Sequence, residues 1–291
     1  MRVAALIAVA TVSITMIAGA ASAGPVTIVA AENFYGDVAF QIGGADVAVT
    51  SILSNPDEDP HLFEASPSTA RALVAAKLVI YNGVDYDPWM EKLLSANAAP
   101  GRQIIVAGDL MQRKSGANPH LWYDPATMPA VAKAIAAELD AIDPAHKPDY
   151  DKGLDAFIAS LQPFADKVQS MHKKYAGVTV TATEPVAGYL ADAIGLKVRN
   201  KEFQLAIEND AEPTAKQVAA FESDLKSHAV KVLLYNNQAT EELTKRMQSL
   251  ALANHIPVVG VSETQPPNAS FQSWMMGQLD ALDKALAGGA S

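Results

Sequence analysis

The 291-residue chain contains no cysteine. It therefore folds without disulfides, and any metal it holds is bound through nitrogen and oxygen rather than thiolate. It equally lacks the thiol through which an exported protein can be joined to lipid. It has no low-complexity tract, no histidine-rich run and no His-Glu-x-x-His signature of a metalloprotease helix. Positive charge is in short supply: 22 Lys and Arg stand against 32 Asp and Glu, a net charge of −10. This balance argues against nucleic acid or an anionic membrane as partner and mildly favours small cations. Aromatic residues are sparse, yet nearly half the chain is hydrophobic, enough for the core of a soluble globular protein of one large or two ordinary domains.

What is present begins with a leader. Arg2 supplies a positive start, Val3 to Ala20 is apolar and uncharged, and Ala21-Ser22-Ala23 fits a small-residue cleavage site. Residues 1–23 are expected to be a cleavable signal peptide, with Gly24 as the mature N-terminus. No other segment is apolar enough to span a bilayer. Export combined with the missing cysteine leads to the expectation of a freely diffusing periplasmic protein without a lipid anchor.

Beyond the leader, strand and helix signals alternate. Strands are expected at Val26 to Ala31, Asp46 to Ile52, Leu78 to Tyr81 and Gln103 to Val106. They recur at Val178 to Ala182, Lys197 to Arg199, Lys231 to Tyr235 and Val258 to Val261. Ser66-Pro67 and Asp124-Pro125 are cap-plus-proline helix starts. Between the two sets, Leu154, Phe157, Ile158, Leu161, Phe164, Val168, Met171 and Tyr175 recur every three or four residues. That spacing predicts one long amphipathic helix, about 40 Å at ~1.5 Å per residue. The fold class is therefore α/β, with two similar lobes of mostly parallel sheet joined by one long backbone helix. The lobes are expected at 24–144 and 177–291, with the linker helix at 145–176.

Two segments carry the candidate chemistry: Asp59-Pro60-His61 and Asn118-Pro119-His120-Leu121-Trp122. Each sets an imidazole directly after a proline, which stiffens the loop that presents it. In open α/β sheets, ligands bind beyond the carboxyl ends of the strands. His61 and His120 lie in such loops of the first lobe. Glu184 follows the strand that ends near Ala182, and Glu263 follows the strand Val258 to Val261. If the lobes face each other, the four converge in the cleft. Two imidazoles and two carboxylates suit Zn²⁺ or Mn²⁺. A lone loop histidine or strand-end glutamate is more often solvated, and spacing alone leaves Glu184 and Glu263 open between the two readings. His146, His172, His228 and His255, and the acidic run Asp57-Glu58-Asp59, read as solvated. Met275-Met276 beside Trp274 reads as helix packing.

With these residues in place, the chain resembles the zinc/manganese-type solute-binding proteins of metal ABC transporters (the cluster A-I family). The segments that carry the resemblance run in order along the whole mature chain. They are 59–68 (DPHLFEASPS), 118–125 (NPHLWYDP), 184–191 (EPVAGYLA) and 256–263 (IPVVGVSE). The resemblance implies that His61, His120 and Glu184 match the first three metal positions. The commonest fourth residue in the family is aspartate, where Glu263 stands here. The His-rich acidic loop of many zinc-specific relatives is absent, which weakens a zinc-only reading.

The expected function is capture of one Zn²⁺ or Mn²⁺ per chain as transported ligand. Delivery is to an inner-membrane ABC permease with its ATPase, by a monomeric protein with no catalytic residues and no nucleic-acid partner. The alternative is a mononuclear metallohydrolase on the same two-His/carboxylate site, with Glu263 or Asp59 as base. A third possibility, an adhesin or surface binding module, is compatible with the same fold.

Overall fold

Short segments rich in Val, Ile and Leu make up most of the strands, as expected where helices cover both faces of a parallel sheet. A computed structural model describes residues 24–58, 60–239 and 241–288; the expected leader and Asp59 lie outside them. The first lobe runs β1 (Val26–Glu32), α1 (Asn33–Gly43), β2 (Val47–Leu53), α2 (Pro67–Ala75), β3 (Leu78–Tyr81), α3 (Pro88–Ala96), β4 (Gln103–Val106), α4 (Ala107–Leu110) and α5 (Thr127–Ile142). Next come α6 (Lys147–Ser160) and α7 (Gln162–Tyr175). The second lobe is β5 (Thr179–Ala182), α8 (Gly188–Ile194), β6 (Lys197–Arg199), α9 (Lys201–Glu208), α10 (Ala215–Lys226), β7 (Leu233–Asn236), α11 (Glu242–Ala253), β8 (Val258–Val261) and α12 (Phe271–Leu286).

The two sheets repeat one topology. The first has the order β2-β1-β3-β4 and the second β6-β5-β7-β8, with every pairing parallel. In each, the order reverses between the two central strands, and the crevice at that switch point is where α/β sheets bind ligands. The helix starts follow local chemistry. Ser66, Thr214 and Ser270 each cap a helix in a reciprocal capping box with the residue three places on.

The long connecting helix is interrupted at one residue. Leu161 separates α6 from α7, and its amide turns back to the Ile158 carbonyl at 3.2 Å. Pro163 explains the break: it has no N–H to give the preceding turn, and its ring crowds the carbonyl four residues back. Both segments bury their apolar face. Phe157, Leu161, Phe164, Val168, Met171 and Tyr175 belong to one hydrophobic core that takes in α1 and α5 of the first lobe and α8 and α12 of the second. The lobes are thus joined by continuous apolar packing as well as by chain. Among the described residues, no helix is long and apolar enough to cross a membrane.

Candidate metal centre

Each loop that carries a candidate residue is fixed by its own backbone and by neighbours. Pro60–Leu62 forms a single 3₁₀ turn that presents His61, whose side chain is 18% exposed. His120 precedes the 3₁₀ turn Leu121–Tyr123 and is fully buried. The Asn118 carboxamide holds it: Oδ1 lies 2.8 Å from His120 Nδ1 and accepts from its backbone N–H at 3.1 Å. The amide's other end donates to the Pro185 carbonyl at 2.8 Å, reaching the second lobe beside Glu184. A ring nitrogen held this way sets the tautomer and leaves Nε2 to face the cleft.

The second lobe supplies the carboxylates from its switch point. Glu184 follows β5, and Asn236 ends β7 beside it. The Asn236 amide donates to Glu184 Oε2 and, at 2.6 Å, to Glu263 Oε1, so one side chain sets both carboxylates. Glu263 is also fixed at its backbone, whose N–H donates to Gln238 Oε1 at 2.6 Å. Its Oε2 then lies 3.3 Å from His120 Nε2, 3.5 Å from His61 Nε2 and 3.0 Å from the Tyr86 hydroxyl that donates to it. The donor atoms of His61, His120 and Glu263 all fall within 4.8 Å of one another. Glu184 adjoins this tight group through Asn236 rather than forming part of it.

Burial and mutual charge set the protonation. Burial works against the His120 cation, but Glu208, Glu263 and Glu184 together lift its pKa to about 9. Burial works against the Glu263 anion too, yet His120, His61 and Asn236 hold its carboxyl down at about 2. Glu184 is pushed up to about 8, first by burial and then by the neighbouring Glu263 charge. The cleft thus contains a buried imidazolium–carboxylate pair with a protonated carboxyl beside it. A divalent cation, which needs neutral imidazoles and ionised carboxylates, would replace those protons. The donors that meet here fit such an ion: nitrogen and oxygen only, drawn from both lobes and walled by Tyr86 and Trp122.

One carboxylate beside this cluster was not legible in the sequence. Glu208, at the end of α9, brings its Oε2 to 3.8 Å from His120 Nε2, with a side chain 8% exposed. Tyr86, Asn118 and Asn236 were missed as supporting residues as well. Asn118 carried a signal, standing two residues before His120 in the segment already singled out, and Asn236 a weaker one as a polar residue at a strand end. The other histidines sit elsewhere. His146 bonds Asp143 through Nδ1 at 2.7 Å, and His172 bonds the Ala193 carbonyl. Asp57 and Glu58 are exposed, as expected for a solvated loop.

Two lobes of identical strand order, closing on a histidine–carboxylate cluster at their facing switch points, define a two-lobed solute-binding protein. Comparison with known proteins makes the assignment specific. The chain belongs to the family described as ZnuA, zinc-uptake complex component A, periplasmic, which matches residues 28–285. It is 23% identical over 287 residues to the metal ABC transporter substrate-binding lipoprotein FimA of Streptococcus parasanguinis, spanning 91% of each chain. To the manganese ABC transporter substrate-binding lipoprotein PsaA of Streptococcus pneumoniae it is 22% identical over 281 residues, 89% of each. Its fold superimposes on that of the periplasmic zinc-binding protein TroA of Treponema pallidum with a TM-score of 0.77 at 18% identity, covering 90% of this chain and 99% of that one. The chain is accordingly the substrate-binding component of a metal ABC transporter, and nothing among these relatives supports a hydrolase.

One expectation is corrected by the same comparison. The sequence led to a freely diffusing protein without a lipid anchor, but FimA and PsaA are both named lipoproteins. The earlier inference rested on the missing cysteine, which bears only on attachment through a thiol of this chain. It does not decide where members of this family reside.

Proposed function

We propose that this protein binds one Zn²⁺ or Mn²⁺ ion between its lobes, through His61, His120, Glu184 and Glu263, and hands it as cargo to an ABC permease driven by its ATPase. The observation that carries the reading is the meeting of both imidazole Nε2 atoms on one buried carboxylate oxygen of the opposite lobe. No second group of polar side chains beside it is needed for a carrier, whose task is to hold and release. Residues 24–144 and 177–291 act as the two jaws around the helical stretch 145–176, and the protein works as a monomer. PsaA is named for manganese and TroA for zinc, so kinship leaves both ions in play. Zinc binds most N/O sites tightly whatever the physiological cargo.

The test is metal titration of chelator-stripped protein. Wild type binds one ion per chain with Kd below about 1 μM, an affinity of about 8 kcal/mol. His61→Ala and His120→Ala each weaken binding by at least about tenfold. Wild-type protein that binds neither ion would end the carrier reading. Unchanged affinity in either variant would remove that histidine from the site.

A further inference from the structure

His61, His120 and Glu263 bring their donor atoms together with Glu184 adjoining, yet a further charged group faces the same cleft. Glu208 lies at the last residue of α9, and its Oε2 is 3.8 Å from His120 Nε2 with the side chain 8% exposed. This is a costly place for a carboxylate. The C-terminal end of a helix carries negative partial charge and disfavours an anion. The placement is nevertheless firm. Phe203 and Ile207 anchor α9 in the outer core of the second lobe, with the Phe203 ring tilted against that of Phe221 at 4.6 Å between centroids. The helix start is tied down as well, Gln204 donating to the Arg199 carbonyl at 2.6 Å and Asn200 to Asp224 at 3.0 Å. A packed helix therefore holds a third carboxylate beside His120 Nε2, in the cleft that already contains Glu184 and Glu263, where a divalent cation would offset the repulsion among the three carboxylates.

We propose that Glu208 is a further metal ligand that sets the selectivity of the site toward a larger, oxygen-preferring divalent ion such as Mn²⁺ over Zn²⁺. The inference rests on the carrier reading above and deepens it. Zn²⁺ prefers four ligands in a tetrahedron, which His61, His120, Glu184 and Glu263 supply without help. Mn²⁺ favours carboxylate oxygens and higher, octahedral coordination. Two imidazoles with three carboxylates offer the extra oxygen donors that the larger ion uses and zinc does not need. The three carboxylates also outweigh the divalent charge by one unit, which again favours the harder ion.

The experiment compares Mn²⁺ and Zn²⁺ affinities, by chelator competition, in wild type, Glu208→Gln and His120→Ala. Glu208→Gln keeps size and hydrogen bonding but loses the charge. It should weaken Mn²⁺ binding by about tenfold or more while changing Zn²⁺ binding much less, lowering the Mn/Zn preference. Equal effects on both ions, or none, overturn the proposal. His120→Ala separates the two levels of inference: if it binds both metals as tightly as wild type, the carrier site itself is wrong, whereas its loss with Glu208→Gln unchanged refutes only the role of Glu208. Should Glu208→Gln fail to fold, Glu208→Asp, which keeps the charge but withdraws it by one methylene, carries the same comparison of ratios. X-ray absorption of the Mn²⁺-loaded wild type gives an independent reading, with five or six light-atom neighbours expected and four refuting the assignment.

Discussion

At the residue scale, the centre behaves as a proton store that a metal would empty. Without metal, His120 keeps its proton up to about pH 9 and Glu184 keeps one up to about pH 8. Both must lose them to ligate, so protons compete with the cation, and metal affinity rises with pH until these groups have titrated. Well below pH 8 each bound ion should displace close to one proton from each group, and well above pH 9 neither. Calorimetry at neutral pH in buffers of different ionisation enthalpy measures that release directly. Heats that do not depend on the buffer would show that the imidazolium–carboxylate pair does not form. Asn236 makes the coupling tight, because its one amide touches both second-lobe carboxylates. Such a bridge is invisible in a sequence, where Asn236 is one more polar residue at a strand end.

At the element scale, the pairing of α1 with α6 depends on one missing side chain. A Cβ on Gly153 would stand 2.2 Å from the Ile42 carbonyl oxygen and 2.9 Å from its carbon, both backbone atoms that cannot turn aside. Alanine is the better helix former by about 1 kcal/mol, but here it would wedge the two helices apart. Gly153→Ala is expected to lose about 1–3 kcal/mol of stability, as overpacking does. Urea unfolding checks this, and a more stable variant would show that the helices tolerate the separation. The elements themselves were largely legible: all eight strands fall where β-branched runs and turn signals put them. Helix α9 was not read, because at eight residues it is barely two turns long and its one buried stripe rests on Phe203, Gln204 and Ile207 alone. Missing that helix meant missing Glu208. The break at Leu161 was equally unread, since the apolar spacing continues straight through it while Pro163 interrupts the hydrogen bonding.

At the scale of the molecule, the lobes are held by more than their linker. The core is shared across them, and Tyr123 donates to the Ser262 carbonyl, Tyr189 to the Asn118 carbonyl and Gln238 to the Glu58 carbonyl, each at 2.8 Å. A hinge that swings freely would have to expose that core. Metal-loaded and stripped protein should therefore have indistinguishable radii of gyration by small-angle scattering, and domain-scale expansion on chelation would contradict this. The ion should still matter for stability. A ligand that binds only the folded state adds about 4 kcal/mol when present ~1,000-fold above its Kd. Thermal melts with and without chelator measure that increment, and coincident curves would exclude tight binding to the native state.

Local pattern was enough for the α/β alternation, for two parallel sheets and for a helical connection between them that the structure breaks at Leu161, and it singled out His61, His120, Glu184 and Glu263 as candidates. Those features depend on strand-end position, proline-stiffened loops and apolar periodicity, all of which are written along the chain. The resemblance to a known family rested on the same short segments. Tertiary structure decided what depends on separation in space. It placed His61 and His120 against Glu263 from the opposite lobe and set Glu184 beside Glu263 through Asn236. It also brought Glu208 to the same cleft from a helix too short to read. Charge interactions fall off with distance through a buried cleft, and distances between residues up to about 200 positions apart exist only once both sheets are folded and packed.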